Sequence, residues 1–163
     1  MSLKTNYRDG DSFTKRSKRE GYRSRASYKL KEILKKDIKP KKGCSILDLG
    51  SYPGGWSQVA IEFSSKSGLV VAIDIQPMEK IDGCFFLQKS VEAVTDEDFV
   101  SIKKFLPFDL VLSDMAPNIT GVRIVDDSAS RELAEEALNA AFSFLAPGGG
   151  IVAKLFQGSE AQS

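Results

Sequence analysis

The sequence predicts an α/β domain, a mainly parallel sheet with helices on both faces, and three observations carry that prediction. Short apolar runs alternate with stretches of helical periodicity from Ser45 to the end of the chain. The runs lack the strict apolar–polar alternation of a half-exposed strand, so they read as strands covered on both faces. The first run also passes through a glycine-containing turn directly into a helix. Such an order implies right-handed crossovers and ligands gathered outside the carboxyl ends of the strands.

Each element follows from its own pattern. Residues 1–22, rich in Lys, Arg, Ser and Asp and without apolar periodicity, are expected to form a basic mobile arm ahead of a domain at 23–163. Ala26, Leu30, Ile33 and Leu34 recur at helical spacing with Lys31 and Lys35 on the other side, and Pro40 and Gly43 close that helix. Strands are expected at Ser45–Leu49, Leu69–Ile73, Cys84–Leu87, Phe108–Ser113 and Gly150–Phe156. Trp56, Val59, Ala60 and Phe63 mark a helix, and Thr95 with Asp98 forms a capping-box pattern ahead of Phe99, Ile102 and Leu106. A longer helix is expected from Ser128 to Leu145, with Ala134, Ala137, Leu138, Ala141, Phe142 and Leu145 inward and Pro147-Gly148-Gly149-Gly150 as its stop.

Composition narrows the function. The chain has 163 residues, 42% of them hydrophobic, enough for one domain with a core. Its apolar runs are far shorter than the roughly 20 residues of a membrane span, and no apolar signal region follows the basic N-terminus, which predicts a protein of the cytoplasm or an organelle matrix; a monomer is expected. Cys44 and Cys84 are too few for a disulfide framework or a zinc site. Histidine is absent, which excludes imidazole metal sites and Ser-His or Cys-His nucleophile pairs and leaves Lys, Asp, Glu or Tyr for acid–base work. Net charge is +1, yet residues 1–42 carry a balance of +10 and the remainder −9. That segregation fits a polyanion-binding arm on an acidic body, or a solvated tail.

Five features stand out chemically. In Asp48-Leu49-Gly50-Ser51-Tyr52-Pro53-Gly54-Gly55-Trp56 the glycines sit at a strand-to-helix turn where a ligand can approach the main chain, although the spacing is neither G-x-G-x-x-G nor a phosphate-binding loop. Asp74 ends the second strand where such folds place an acid against a ribose diol; a turn aspartate is the plainer reading. Asp114 follows the fourth strand and precedes Pro117, as a site carboxylate or a helix cap would. Lys154 interrupts the apolar run Ile151–Phe156, and a buried ammonium there needs a carboxylate partner or a function, whereas an edge-strand lysine needs neither. Lys29 raises the same question on the first helix, where its spacing from Ala26 and Ile33 turns it toward the inner face; snorkelling is its plainer reading.

Arg23-Ser24-Arg25-Ala26-Ser27-Tyr28-Lys29-Leu30, Asp48 to Gln58, Asp74, Ser113-Asp114-Met115-Ala116-Pro117-Asn118 and Lys154-Leu155-Phe156-Gln157-Gly158 together resemble the FtsJ-like (RrmJ-like) ribosomal RNA 2′-O-methyltransferases. The resemblance spans residues 20 to 158 and implies a Rossmann-like fold that uses S-adenosylmethionine as methyl donor and no metal. It implies Lys29, Asp114 and Lys154 as catalytic residues and Gly50, Gly54, Gly55, Trp56, Asp74 and Asp114 as donor contacts. Ser90 falls where the family commonly has an aspartate near the adenine. The family's later catalytic glutamate and its last two strands have no counterpart before Ser163, so the chain is expected to be truncated relative to the family, with its last strand an exposed edge.

The resemblance further implies methylation of a ribose 2′-hydroxyl, with a uridine of large-subunit ribosomal RNA as target and Lys154 as base or oxygen-orienting group. Arg23, Arg25, Lys31 and Lys35 are the expected RNA contacts, with the ribosomal RNA or the large ribosomal subunit as partner. A transfer RNA methyltransferase, a small-molecule or protein methyltransferase with the same donor pocket, and a non-catalytic RNA-binding relative are the alternatives.

Overall fold

The computed structural model describes residues 15–115 and 120–154. Its centre is a five-stranded, all-parallel sheet in the order β3-β2-β1-β4-β5. The strands are β1 (Ser45–Leu49), β2 (Leu69–Asp74), β3 (Cys84–Gln88), β4 (Phe108–Ser113) and β5 (Leu145–Ala153). A short helix, α1 (residues 15–20), precedes them. The expected α/β class and parallel sheet are therefore those of the folded chain, and strand order reverses between β1 and β4.

Side chains alternate across the central strands and divide the core into two layers. On one face Ile46, Val70, Leu110 and Leu112 pack against Leu30 of α2 (Ser27–Ile33), against Leu34 just beyond it, and against Trp56, Val59 and Ala60 of α3 (Gly55–Ser64). On the other, Leu47, Leu49, Val71, Ile73 and Val111 pack against Phe99, Ile102 and the small residues Ala137, Ala140 and Ala141 of α4 (Arg123–Phe144). Phe99 joins this layer edge-to-face with Phe108 and Phe144, at centroid distances of 5.6 and 5.0 Å.

Several elements differ from the sequence expectation, each for a local reason. Helix α1 forms although the sequence there has no apolar stripe, because polar contacts hold the turn. The Arg16 guanidinium lies 4.4 Å from the Tyr28 ring centroid, and Glu20 accepts hydrogen bonds from Arg16 at 2.9 Å and from the Tyr28 hydroxyl at 2.7 Å. Residues 1–14 of the expected arm lie outside the described residues, and Tyr22, also expected in the arm, packs against the core. The helix α2 widens into a π-helical turn over Leu34–Ile38 and stops at Lys39, which takes a left-handed conformation at φ 48°. Thr95 and Asp98 form the expected capping box, but the segment Asp96–Phe105 is 3₁₀ in character and kinks at Ile102.

The inward face of α4 is also corrected. Leu138 and Phe142 are exposed, at 45% and 85%, and Ala140 is buried instead. Assigning the largest apolar residues inward missed that alanines let the helix approach the sheet closely. The Pro-Gly stretch expected to separate α4 from the last strand lies within β5, which begins directly at Leu145. Phe108 pairs with Leu145 and Leu110 with Gly150, so the extra residues form a bulge. Proline is tolerated in an edge strand and glycine in a bulge. β5 ends at Ala153, with Lys154 immediately beyond it, and the expected extension to Phe156 lies outside the described residues. No helix among the described residues is long and apolar enough to cross a membrane.

Candidate active site

The ends of β1, β2, β3 and β4 open onto a cavity of about 480 Å³ whose wall includes Gly50, Asp74, Ser90 and Asp114. These four of the seven expected donor contacts are brought together by parallel strands that end at one level, next to the reversal of strand order where a crevice forms. Met115, Ile73, Val91 and Leu133 add apolar surface to it.

Asp74 is held by the main chain. Its Oδ2 accepts the Tyr52 N–H at 2.9 Å and its Oδ1 the Gln76 N–H at 2.8 Å, so the carboxylate is fixed at the mouth of the cavity with acceptor capacity to spare. Gly50 has φ +70°, and a Cβ there would lie 2.6 Å from Met115 Cγ, so glycine is required by both the turn and the wall.

Asp114 and Lys154 follow the ends of the neighbouring strands β4 and β5. The Asp114 N–H donates to Leu49 O at 3.2 Å and the Lys154 N–H to Ser113 O at 2.8 Å, which extends the ladder by one step and sets the side chains together. Lys154 Nζ lies 3.4 Å from Asp114 Oδ1. Burial pushes the Asp114 carboxyl above the usual carboxylate range, and the adjacent ammonium offsets part of that rise. The lysine is not buried as the sequence pattern suggested; its side chain is 60% exposed against 22% for Asp114. The result is a solvent-reaching cation anchored at its base by a half-buried carboxylate.

The other motif residues are placed elsewhere. Gly54, Gly55 and Trp56 do not line the cavity. A Cβ at Gly55 would lie 2.6 Å from Ser24 Cβ and from Ser27 Oγ, and Trp56 is buried with its indole N–H donating to Ala26 O at 3.2 Å. Gly55 and Trp56 lock α3 against α2 and the residues that lead into it, while Gly54 sits against Ile81 and Arg23. Lys29 does not face inward: its side chain is 75% exposed, with Glu32 3.9 Å away. Among the expected RNA contacts, Arg23 donates to main-chain carbonyls of Pro53, Glu79 and Lys80, and Lys31 pairs with Glu62 at 3.2 Å, while Arg25 and Lys35 are exposed.

Sequence reasoning missed Tyr52, Lys89, Leu133 and Glu136, which also line the cavity. Tyr52 lies within the recognised turn, but Glu136 sits on a helix rich in acids and carries no local signal. Asp48, on β1, is fully buried, accepts the Ser57 hydroxyl of α3 at 2.6 Å and is pushed up to about 7 by burial. No cluster of potential metal ligands occurs among the described residues.

The FtsJ-like methyltransferase family model matches residues 22–163. Ribosomal RNA large subunit methyltransferase E of Nitrosospira multiformis is 47% identical over 150 residues, covering 91% of this chain and 73% of that protein. The protein of the same name from Marinobacter nauticus is 48% identical over 149 residues, 91% and 72% of the two chains. A crystal structure of a ribosomal RNA methyltransferase from Plasmodium falciparum aligns with a TM-score of 0.76 at 32% identity, covering 86% of this chain and 82% of the other. A parallel sheet with a carboxylate-lined crevice at its strand ends, matched in sequence over nearly the whole chain, places this protein in the FtsJ-like methyltransferase family.

Proposed function

We propose that this chain methylates a ribose 2′-hydroxyl of RNA with S-adenosylmethionine as donor, its target a uridine of large-subunit ribosomal RNA. The observation that carries this reading is the Asp114–Lys154 pair at the rim of a cavity that also holds Asp74. The cavity suits the donor: about 480 Å³ is enough for a nucleoside bearing an amino-acid tail, Asp74 is oriented to accept from a ribose diol, and the wall at Gly50 admits no side chain. When bound, S-adenosylmethionine supplies an electrophilic methyl group.

The protein's own contribution is to position and charge the acceptor. Lys154 extends into solvent from a strand end, where its ammonium orients an incoming 2′-oxygen, and Asp114 fixes the lysine's direction. Lys29 enters the reading through the family pattern, as a lysine exposed on α2. Arg25 and Lys35, exposed on and around the same helix, together with the basic residues 1–22, are proposed to hold RNA phosphates. The family relatives named for ribosomal RNA favour that substrate over transfer RNA. A monomer in the cytoplasm or an organelle matrix is consistent with this role.

Methyl transfer from labelled donor to naked ribosomal RNA and to large ribosomal subunits tests the reading. Incorporation should appear as alkali-resistant dinucleotides, because a 2′-O-methyl group blocks cleavage at that ribose. Label on a base, or none above background, overturns it.

A further inference from the structure

We propose a second RNA contact at the amino ends of the strands, where Lys39, Lys41, Lys42 and Lys66 hold phosphates of the same RNA whose ribose is methylated at the carboxyl ends. The inference rests on the RNA reading above. Two of the four side chains expected to hold RNA are occupied within the protein, Arg23 on main-chain carbonyls and Lys31 on Glu62. Unpaired positive charge is concentrated elsewhere.

Residues 34–42 contain five lysines against a single acid, Asp37. Lys36 is paired with Glu32 at 3.0 Å. Lys35, Lys39, Lys41 and Lys42 are exposed and have no ion pair among the described residues. The segment runs from the end of α2 to the amino end of β1, and Lys41 and Lys42 line a groove of about 420 Å³ there. The loop that carries the exposed Lys66 is fastened alongside: the Gly43 N–H donates to Ser64 O at 2.8 Å, and the Ser64 hydroxyl to Cys44 O at 2.6 Å. Four lysines from two loops thus share one end of the sheet. Asp109 also lines the groove, with one oxygen engaged by the Ser45 N–H at 2.8 Å. Its charge keeps a phosphate on the lysine lip rather than inside the groove.

Lys39 supplies independent support. It closes the helical segment at φ 48° and ψ 61°, a left-handed conformation that glycine adopts without strain and lysine does not. Attraction to the carbonyl end of a helix accounts for basic residues in or next to a last turn, here Lys35, Lys39 and Lys66, but not for Lys41 or Lys42. A run of phosphates accounts for all of them. β1 is five residues long, so the patch lies about 17 Å from the level of Asp114, at about 3.3 Å per residue. An RNA chain that reaches both ends spans several nucleotides.

The test compares the full chain, a Lys39→Gln/Lys41→Gln/Lys42→Gln variant and a Lys103→Gln/Lys104→Gln variant, whose exposed lysines lie on the segment Asp96–Phe105. Each is assayed for binding of a ribosomal RNA transcript at several salt concentrations and for methyl transfer to it. The triple variant should bind RNA about tenfold or more weakly, with the slope of log affinity against log salt reduced by about 2 to 3. Its KM for RNA should rise in step, with kcat and the affinity for S-adenosylhomocysteine within about twofold of the parent. The Lys103→Gln/Lys104→Gln variant should bind RNA as the parent does. Lys39→Gly separates charge from backbone: it should melt at the parent's temperature or above, because glycine suits the left-handed turn, and still bind RNA more weakly. Parental affinity and salt slope in the triple variant overturn the second contact and leave the methylation reading standing, as does an equal loss in the Lys103→Gln/Lys104→Gln variant. Absence of both RNA binding and methyl transfer in the parent overturns both.

Discussion

The guanidinium of Arg23 donates to the carbonyl oxygen of Glu79 at 2.8 Å, and through its second nitrogen to Lys80 O at 3.1 Å. A further contact to Pro53 O at 3.3 Å ties the loop after β2 to the turn that precedes α3. The side chain therefore clamps two segments that flank the cavity. Arg23→Ala should destabilise the fold by about 1–3 kcal/mol, since charge-assisted hydrogen bonds to main-chain carbonyls are lost. Arg23→Lys keeps the charge but not the planar fork, so it should recover little of that stability. Chemical denaturation of the three proteins checks this, and an Arg23→Lys variant as stable as the parent would contradict it.

The same contact shows where the sequence was legible. Apolar runs marked β1 to β4 to within one residue, because parallel strands packed between helices are apolar, whereas β5 begins at Leu145, ahead of its apolar run. Position within a motif did not reveal which residues touch the cavity. Gly55 and Trp56 share their turn with Gly50, yet they face α2 while Gly50 faces the cavity, a distinction set by the direction of one helix. The apolar pattern around Lys29 and Lys154 points both toward the core, and both are largely exposed, because the helix and the strand end carry their ammonium groups outward. Glu136 had no signature, since one acid among several on a helix is ordinarily a solvated one.

Two glycines in one turn should respond differently to alanine. Gly50→Ala forces a side chain into a left-handed conformation at about 1–2 kcal/mol and drives Met115 toward the cavity, so donor affinity should fall about tenfold or more. Gly55→Ala should cost about 1–3 kcal/mol of stability through its clash with Ser24 and Ser27, and leave donor affinity within about threefold. Calorimetric titration and thermal unfolding of both variants separate the two effects.

Stability should depend on pH through Asp48. Burial raises its folded-state value to about 7 from an unfolded value near 3.8. A raised value means the native state holds this proton more tightly than the unfolded state does. The stabilisation is therefore complete below about pH 4 and is lost as pH rises through about 7, with an upper bound of about 4 kcal/mol. Asp48→Asn keeps an acceptor for the Ser57 hydroxyl and removes the titration. The difference in unfolding free energy between the Asp48→Asn variant and the parent should move in favour of the variant between about pH 5 and pH 8, measured by urea denaturation. A pH-independent difference would show that Asp48 does not titrate in this range.

Residues 1–22 and the exposed basic side chains should act through phosphate charge. Removing residues 1–22 should weaken RNA binding and flatten its dependence on salt, while leaving donor affinity unchanged. A truncated protein with the parent's salt slope in filter-binding assays would exclude the arm from the RNA contact.

Lys154→Ala tests most directly whether the Asp114–Lys154 pair, whose carboxylate lines the donor cavity, is the proposed reaction centre. Methyl transfer to ribosomal RNA should fall by about 10²-fold or more, while S-adenosylhomocysteine binds within about threefold of the parent. Activity retained within about tenfold, or donor binding lost in step with activity, would contradict that assignment.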